Sequence, residues 1–250
     1  YANGTIGGII NVVDDCVAPN DFDKPEFLVA LENQSVNDGD TKAVNYKNNI
    51  NGFNVNFGYK ESKFGNYEVP NGAVIHEEEG DDDHDENMGY LENSDYAVEA
   101  TKFGISKVGD WGYSGFSIDS LQSIYGIPFH GEEHDDHPVD PDAVPEEHEE
   151  ERIFSTTDSE SFTIKGLYNV NGNFVNSIAY TFRDSDYSLT EAHEEEEGHD
   201  DHIGEEPHDE HAPTVFSNNA TEYGTIFDIS NDNMTQKVVF NFVDEDSSIV

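Results

Sequence analysis

Polar and apolar residues alternate along most of this chain with a period of two. From 52 to 60, Phe53, Val55, Phe57 and Tyr59 fall on one side of an extended backbone, and Asn54, Asn56, Gly58 and Lys60 fall on the other. That is the pattern of a strand with one apolar and one polar face. Phe27, Val29 and Leu31 alternate with Leu28, Ala30 and Glu32, and Val44 and Tyr46 share a face of 42–48. Further strands are predicted over 96–107, 111–123, 155–170, 174–189, 221–230 and 236–243. On 155–170 one face carries Phe162, Ile164, Gly166 and Tyr168; on 174–189 one face carries Phe174, Ile178, Tyr180 and Phe182. Turn residues punctuate them at Asn37-Asp38-Gly39-Asp40, Asn51-Gly52, Gly109-Asp110, Asn171-Gly172 and Asn231-Asp232-Asn233. No segment sustains a 3.6-residue apolar period. The pattern predicts an all-β antiparallel meander of nine strands. The opening 1–15 pairs a Gly-rich turn with a β-branched run; the spacing of Gly4, Gly7 and Gly8 is not that of a dinucleotide or phosphate loop.

Charge changes this picture, because it is not spread evenly. The formal charge is −44. Three segments, 76–86, 130–151 and 191–211, carry all 11 histidines and 30 of the 55 acids, with no Lys or Arg. Each lies between two predicted hairpins. A strand, a tight turn and a returning strand bring the chain back to the side it left, so all three segments are expected at one end of the sheet, with the tight turns at the other. An acidic surface repels nucleic-acid phosphate and attracts cations, so no nucleic-acid partner is expected.

The histidines give the acidic segments their chemistry. Neutral imidazole and carboxylate both bind divalent zinc, and imidazole also suits copper and nickel. Calcium has little use for nitrogen, and one Cys and two Met disfavour Cu(I). His130, His134 and His137 fall within eight residues, interleaved with Glu133, Asp135 and Asp136. His199 and His202 flank Asp200 and Asp201, and His208 and His211 repeat the short spacing beyond Pro207. His76, His84, His148 and His193 complete the candidate ligand set. Such segments act as a sponge of exchanging ligand sets that concentrates cations within about 8 Å at physiological salt. Protons compete for imidazole, so capture is expected to weaken as pH falls through the histidine range. No enzyme is expected: a Ser-His-Asp triad needs a histidine fixed on a scaffold, and no His-Glu-x-x-His pattern is present.

Two architectures fit alternating strands with short turns at one end and long connections at the other. One is a transmembrane β-barrel, whose strands need only about 9–11 residues to cross. The other is a surface or soluble β-sheet protein that buffers metal ions without transport. Three stretches bear on the choice. Tyr1-Ala2-Asn3-Gly4-Thr5-Ile6-Gly7-Gly8-Ile9-Ile10-Asn11-Val12 resembles the motif at the end of the plug domain of TonB-dependent outer-membrane receptors. Residues 66–72, Asn-Tyr-Glu-Val-Pro-Asn-Gly, are similar to an early barrel strand and loop of their zinc-uptake branch. Ile124-Tyr125-Gly126-Ile127-Pro128 resembles that branch's Tyr-Gly-Ile-Pro-Gly-His segment, with Phe129 in place of the Gly.

The resemblance implies residues 1–20 as the C-terminal end of a plug and residues 21–250 as the N-terminal part of an outer-membrane barrel, about nine strands and incomplete. It implies a Gram-negative outer membrane with lipid around the barrel, and extracellular His/Asp/Glu-rich loops. Zinc would be the captured ion, and import would be energised by the inner-membrane TonB complex.

Overall fold

The computed structural model describes residues 16–70, 89–128, 152–193, 212–231 and 233–250, and every regular element among them is a strand. In chain order these are β1 (Glu26–Gln34), β2 (Gly39–Ile50), β3 (Phe53–Phe64), β4 (Tyr67–Glu68), β5 (Tyr90–Leu91), β6 (Tyr96–Gly109), β7 (Gly112–Gly126), β8 (Ile153–Asn169), β9 (Ser177–His193), β10 (Thr214–Asp228) and β11 (Lys237–Ile249). Nine form one antiparallel sheet in the order β1-β2-β3-β6-β7-β8-β9-β10-β11, the meander expected from the sequence; β4 and β5 pair separately. β1 and β11 are the two edges, and among the described residues they do not pair with each other.

The tight turns work as their residues require. Asn51 and Gly52 both have positive φ, 52° and 81°, as a two-residue type I′ hairpin demands. Gly112 sits at φ 117°, and a Cβ there would overlap the Leu167 carbonyl. The turn after β8 is longer than expected. Gly172 N–H donates to the Val175 carbonyl at 3.0 Å and Val170 N–H to the Asn176 carbonyl at 2.9 Å. Phe174, expected on the next strand, therefore lies in this turn at 87% exposure.

The strands also run further than the sequence pattern marks. β10 starts at Thr214, seven residues before the expected 221, and β11 continues to Ile249, six beyond 243. The register explains why. Facing Phe182, Tyr223 and Phe242 on one side of the sheet are the neighbours Asp184, Thr221 and Asp244, then Asp186, Asn219 and Asp246. The face that is apolar near the turns becomes acidic toward the opposite end, so alternation loses its contrast there while the hydrogen-bond ladder continues.

The two faces are chemically opposite. On one, an aromatic row crosses six strands, Phe103–Phe116–Phe162–Phe182–Tyr223–Phe242, with successive ring centroids 6.4, 6.1, 6.3, 5.0 and 6.2 Å apart. Each such pair contributes about 0.5–1.5 kcal/mol beyond its buried area. Ile118, Tyr168 and Phe240 extend this face and stand half exposed or more. On the other face Asn54, Asn56, Ser62, Ser106, Ser117 and Ser155 are buried.

The chain enters the sheet across that polar face. Cys16, Val17 and Ala18 are among its most buried residues. Ser106 Oγ donates to the Ala18 carbonyl at 2.8 Å, and Asn54 Nδ2 to the Asn20 carbonyl at 3.1 Å. Phe22 N–H returns a bond to Asn54 Oδ1 at 3.0 Å. Gly104 makes the approach possible: a Cβ there would overlap the Cys16 carbonyl oxygen.

Candidate functional site

The three histidine-rich segments are entered and left along one line of the sheet. Phe64 pairs with Tyr96, Tyr96 with Tyr125, Tyr125 with Ser155, Ser155 with Glu191, and Glu191 with Thr214. These residues lie at or within two positions of the ends of β3, β6, β7, β8, β9 and β10, so every strand that bounds one of the segments meets it at the same edge. The opposite edge carries the turns at 51–52, 110–111, 170–176 and 229–236. The turn between β1 and β2 departs from the expectation and lies at the same edge as the histidine-rich segments, where the Asn37 carbonyl accepts from Gly65 N–H at 2.7 Å.

This edge is stiffened locally. Arg152 donates to Asp95 at 2.5 Å and lies over the Phe154 ring, 5.4 Å from its centroid. The pair ties the start of β6 to the start of β8. Gly126 N–H donates to the Asp95 carbonyl at 3.0 Å. Any Cβ on Gly126 would come within 2.5 Å of the Asn93 carbonyl, so the glycine of the Tyr125-Gly126-Ile127-Pro128 motif is required by backbone approach. Phe64 and Tyr96 stack at 6.1 Å beside it, and β4 and β5 close the stem of the first segment.

Of the predicted ligands, His193 is described. It is the last residue of β9, opposite Ile153 and half buried, on the side of the sheet that carries Glu191 and Arg183. His76, His84, His130, Glu133, Asp135, Asp136, His134, His137, His148, His199, Asp200, Asp201, His202, His208 and His211 lie outside the described residues. Among the described residues no three His, Cys, Asp or Glu side chains are grouped to hold a metal.

The polar face holds a second feature, which the strand pattern alone did not single out. A cavity of about 830 Å³ lies along it, bounded from β2 to β10 mostly by residues of that face. A single sheet encloses such a space only by curving, so the polar face is the concave one. Lys60, Lys102, Lys165 and Arg183 border the cavity, with Asp119 and Glu222 as its carboxylates. Each cation lies at a polar position of its strand, and the signal was therefore present. What was missing was the register, which sets Lys102 opposite Asp119 and Arg183 opposite Glu222.

Comparison with models of known protein families finds none that matches the chain, and comparison with curated proteins finds no match.

Proposed function

We propose that these strands form part of the barrel of a TonB-dependent outer-membrane transporter, whose histidine-rich segments capture a divalent transition metal, zinc foremost, at the outer end. One observation carries the reading: the sheet is inside-out. Among the described residues the buried apolar side chains are Cys16, Val17, Ala18, Ile153 and Ala192, whereas Phe57, Phe116, Ile118, Tyr223, Phe240 and Phe242 are exposed. The asparagines and serines of the concave face are buried instead. A water-soluble domain rarely leaves an apolar patch larger than a few hundred Å² uncovered. A barrel in lipid requires this arrangement, with an apolar outside, a wet polar inside and aromatic residues near its rims. Trp111 and Tyr168, both exposed at the turn end, suit the inner rim. β8 and β9, at 17 residues each, exceed the crossing length. Their acidic outer positions, Asp158, Glu160, Asp184 and Asp186, then stand beyond the bilayer on the side of the histidine-rich segments.

Capture follows from charge and ligand chemistry. The segments raise the local cation concentration, imidazoles hold the ion, and a deeper site takes it over. His193, at the rim of the concave face, is the candidate nearest the strands. Barrel closure requires strands beside β1 and β11. Coupling to the inner-membrane TonB complex rests on the resemblance of the opening motif. The reading predicts that the purified protein is monodisperse only with detergent or lipid present. A monodisperse monomer in detergent-free buffer contradicts it and favours a metal-buffering soluble sheet.

A further inference from the structure

We propose that the concave face holds a small multivalent oxyanion, a polycarboxylate or phosphate, between Lys60, Lys102, Lys165 and Arg183. The chain has 11 Lys and Arg against 55 Asp and Glu, yet four of those cations border one cavity that has two carboxylates, Asp119 and Glu222. The cavity lining therefore carries a surplus of two positive charges in a chain of net −44. Lys60 and Lys102 are diagonal neighbours on β3 and β6, and Lys165 and Arg183 are diagonal neighbours on β8 and β9. Like charges therefore stand side by side on the concave surface, and an anion beside them lowers their repulsion.

The geometry suits an oxyanion. At about 830 Å³ the cavity falls in the range of small-molecule sites. Ser117, Ser161, Thr163 and Thr181 line it between the cations and supply hydroxyl donors. Lys102 has room to lie across the neighbouring strand because residue 58 is glycine; a Cβ there would stand 2.8 Å from Lys102 Cε and 2.9 Å from its Cγ. Among the described residues Lys60, Lys102 and Arg183 carry no ion pair. Arg183 offers the planar fork that engages carboxylate or phosphate through two parallel bonds, and the lysines add point charge. The surplus positive charge of the lining disfavours a bare divalent cation on the same surface. Metal that leaves the acidic edge for this face therefore passes more readily with anionic ligands attached than as the free ion. The anion site itself does not depend on metal capture.

The test is calorimetric titration of citrate, and separately of inorganic phosphate, into the whole protein in zwitterionic detergent and metal-free, low-salt buffer. The expected result is sub-millimolar binding of at least one anion, weakened about tenfold or more in Lys102→Gln/Arg183→Gln. Binding should be unchanged in Lys63→Gln/Lys107→Gln, which removes cations from the opposite face of the same strands. Citrate without phosphate identifies a polycarboxylate site, and phosphate without citrate identifies a phosphate site. Glu222→Gln removes a carboxylate and keeps the shape, so it should tighten binding; it decides the matter if the double variant does not fold. No binding of either anion to the folded wild-type protein at about 10 mM overturns the proposal, as does unchanged affinity in the folded double variant or in Glu222→Gln. Zinc binding should be the same in Lys102→Gln/Arg183→Gln as in wild type, so failure of the anion site and failure of metal capture are separately visible.

Discussion

At the scale of single residues, several positions have one physical reason for being what they are. Gly104 leaves the space through which Cys16 to Ala18 pass over the polar face. Gly104→Ala must move backbone rather than a flexible side-chain tip, so it should destabilise the fold by about 1–3 kcal/mol, the usual cost of overpacking. Gly224→Ala is the control, since its nearest neighbour is the Asn241 amide oxygen at 3.3 Å, and it should be close to neutral. Thermal unfolding in detergent reads both; equal effects would remove the docking role given to Gly104. Asn51-Gly52 could be read from sequence because that pair has few alternatives to the turn it makes. The cavity cations could not be read in the same way. Lys60, Lys102, Lys165 and Arg183 are 42, 63 and 18 residues apart in sequence, and only strand order and register bring them to one surface.

The strands show where sequence pattern is informative and where it fails. β3 was legible because Phe53, Val55, Phe57 and Tyr59 contrast with Asn54, Asn56, Gly58 and Lys60. The first part of β10 and the last part of β11 were not, because Ser217, Asn218 and Asn219, like Asp244, Glu245 and Asp246, are polar on both faces. Phe174 was misassigned for the opposite reason: an aromatic residue following Asn-Gly reads as a strand start, whereas here the backbone first completes a turn closed by Gly172 and Val175. The faces can be tested with neighbouring residues. Phe162 lies in the aromatic row and Thr163 lines the concave cavity. Ile164→Arg, on the same face as Phe162 and paired with Phe182, should cost about 2–4 kcal/mol at mid-membrane depth, while Thr163→Arg on the wet face should be tolerated far better. Folding yield into lipid vesicles separates them, and equal yields would contradict a lipid-facing aromatic row.

For the whole molecule, the meander makes a two-ended object. Its topology was legible because every connection is either a tight turn or a long acidic segment, and that alone fixes which ends meet. What the described residues leave to experiment is the ligand set, since His193 alone among the candidates falls within them. In a Cys16→Ser background, single cysteines at Asp142 and at Asn171 should differ in intact cells. An impermeant thiol reagent should label the first and not the second until the cells are permeabilised. Labelling of both, or the reverse order, would place the acidic segments on the wrong side for capture from outside.

The most direct test of the central claim is a zinc titration of the whole protein in detergent, compared with a variant in which His130, His134, His137 and His148 are alanine. If the histidine-rich segments are metal captors, the wild-type protein binds zinc at micromolar concentration or better. The variant then loses sites or weakens by about tenfold, and lowering the pH from about 7.5 to 5.5 weakens the wild type in the same direction. Equal binding by the two proteins, insensitive to that pH change, would mean that the carboxylates form a general cation cloud and that the histidines do not ligate metal.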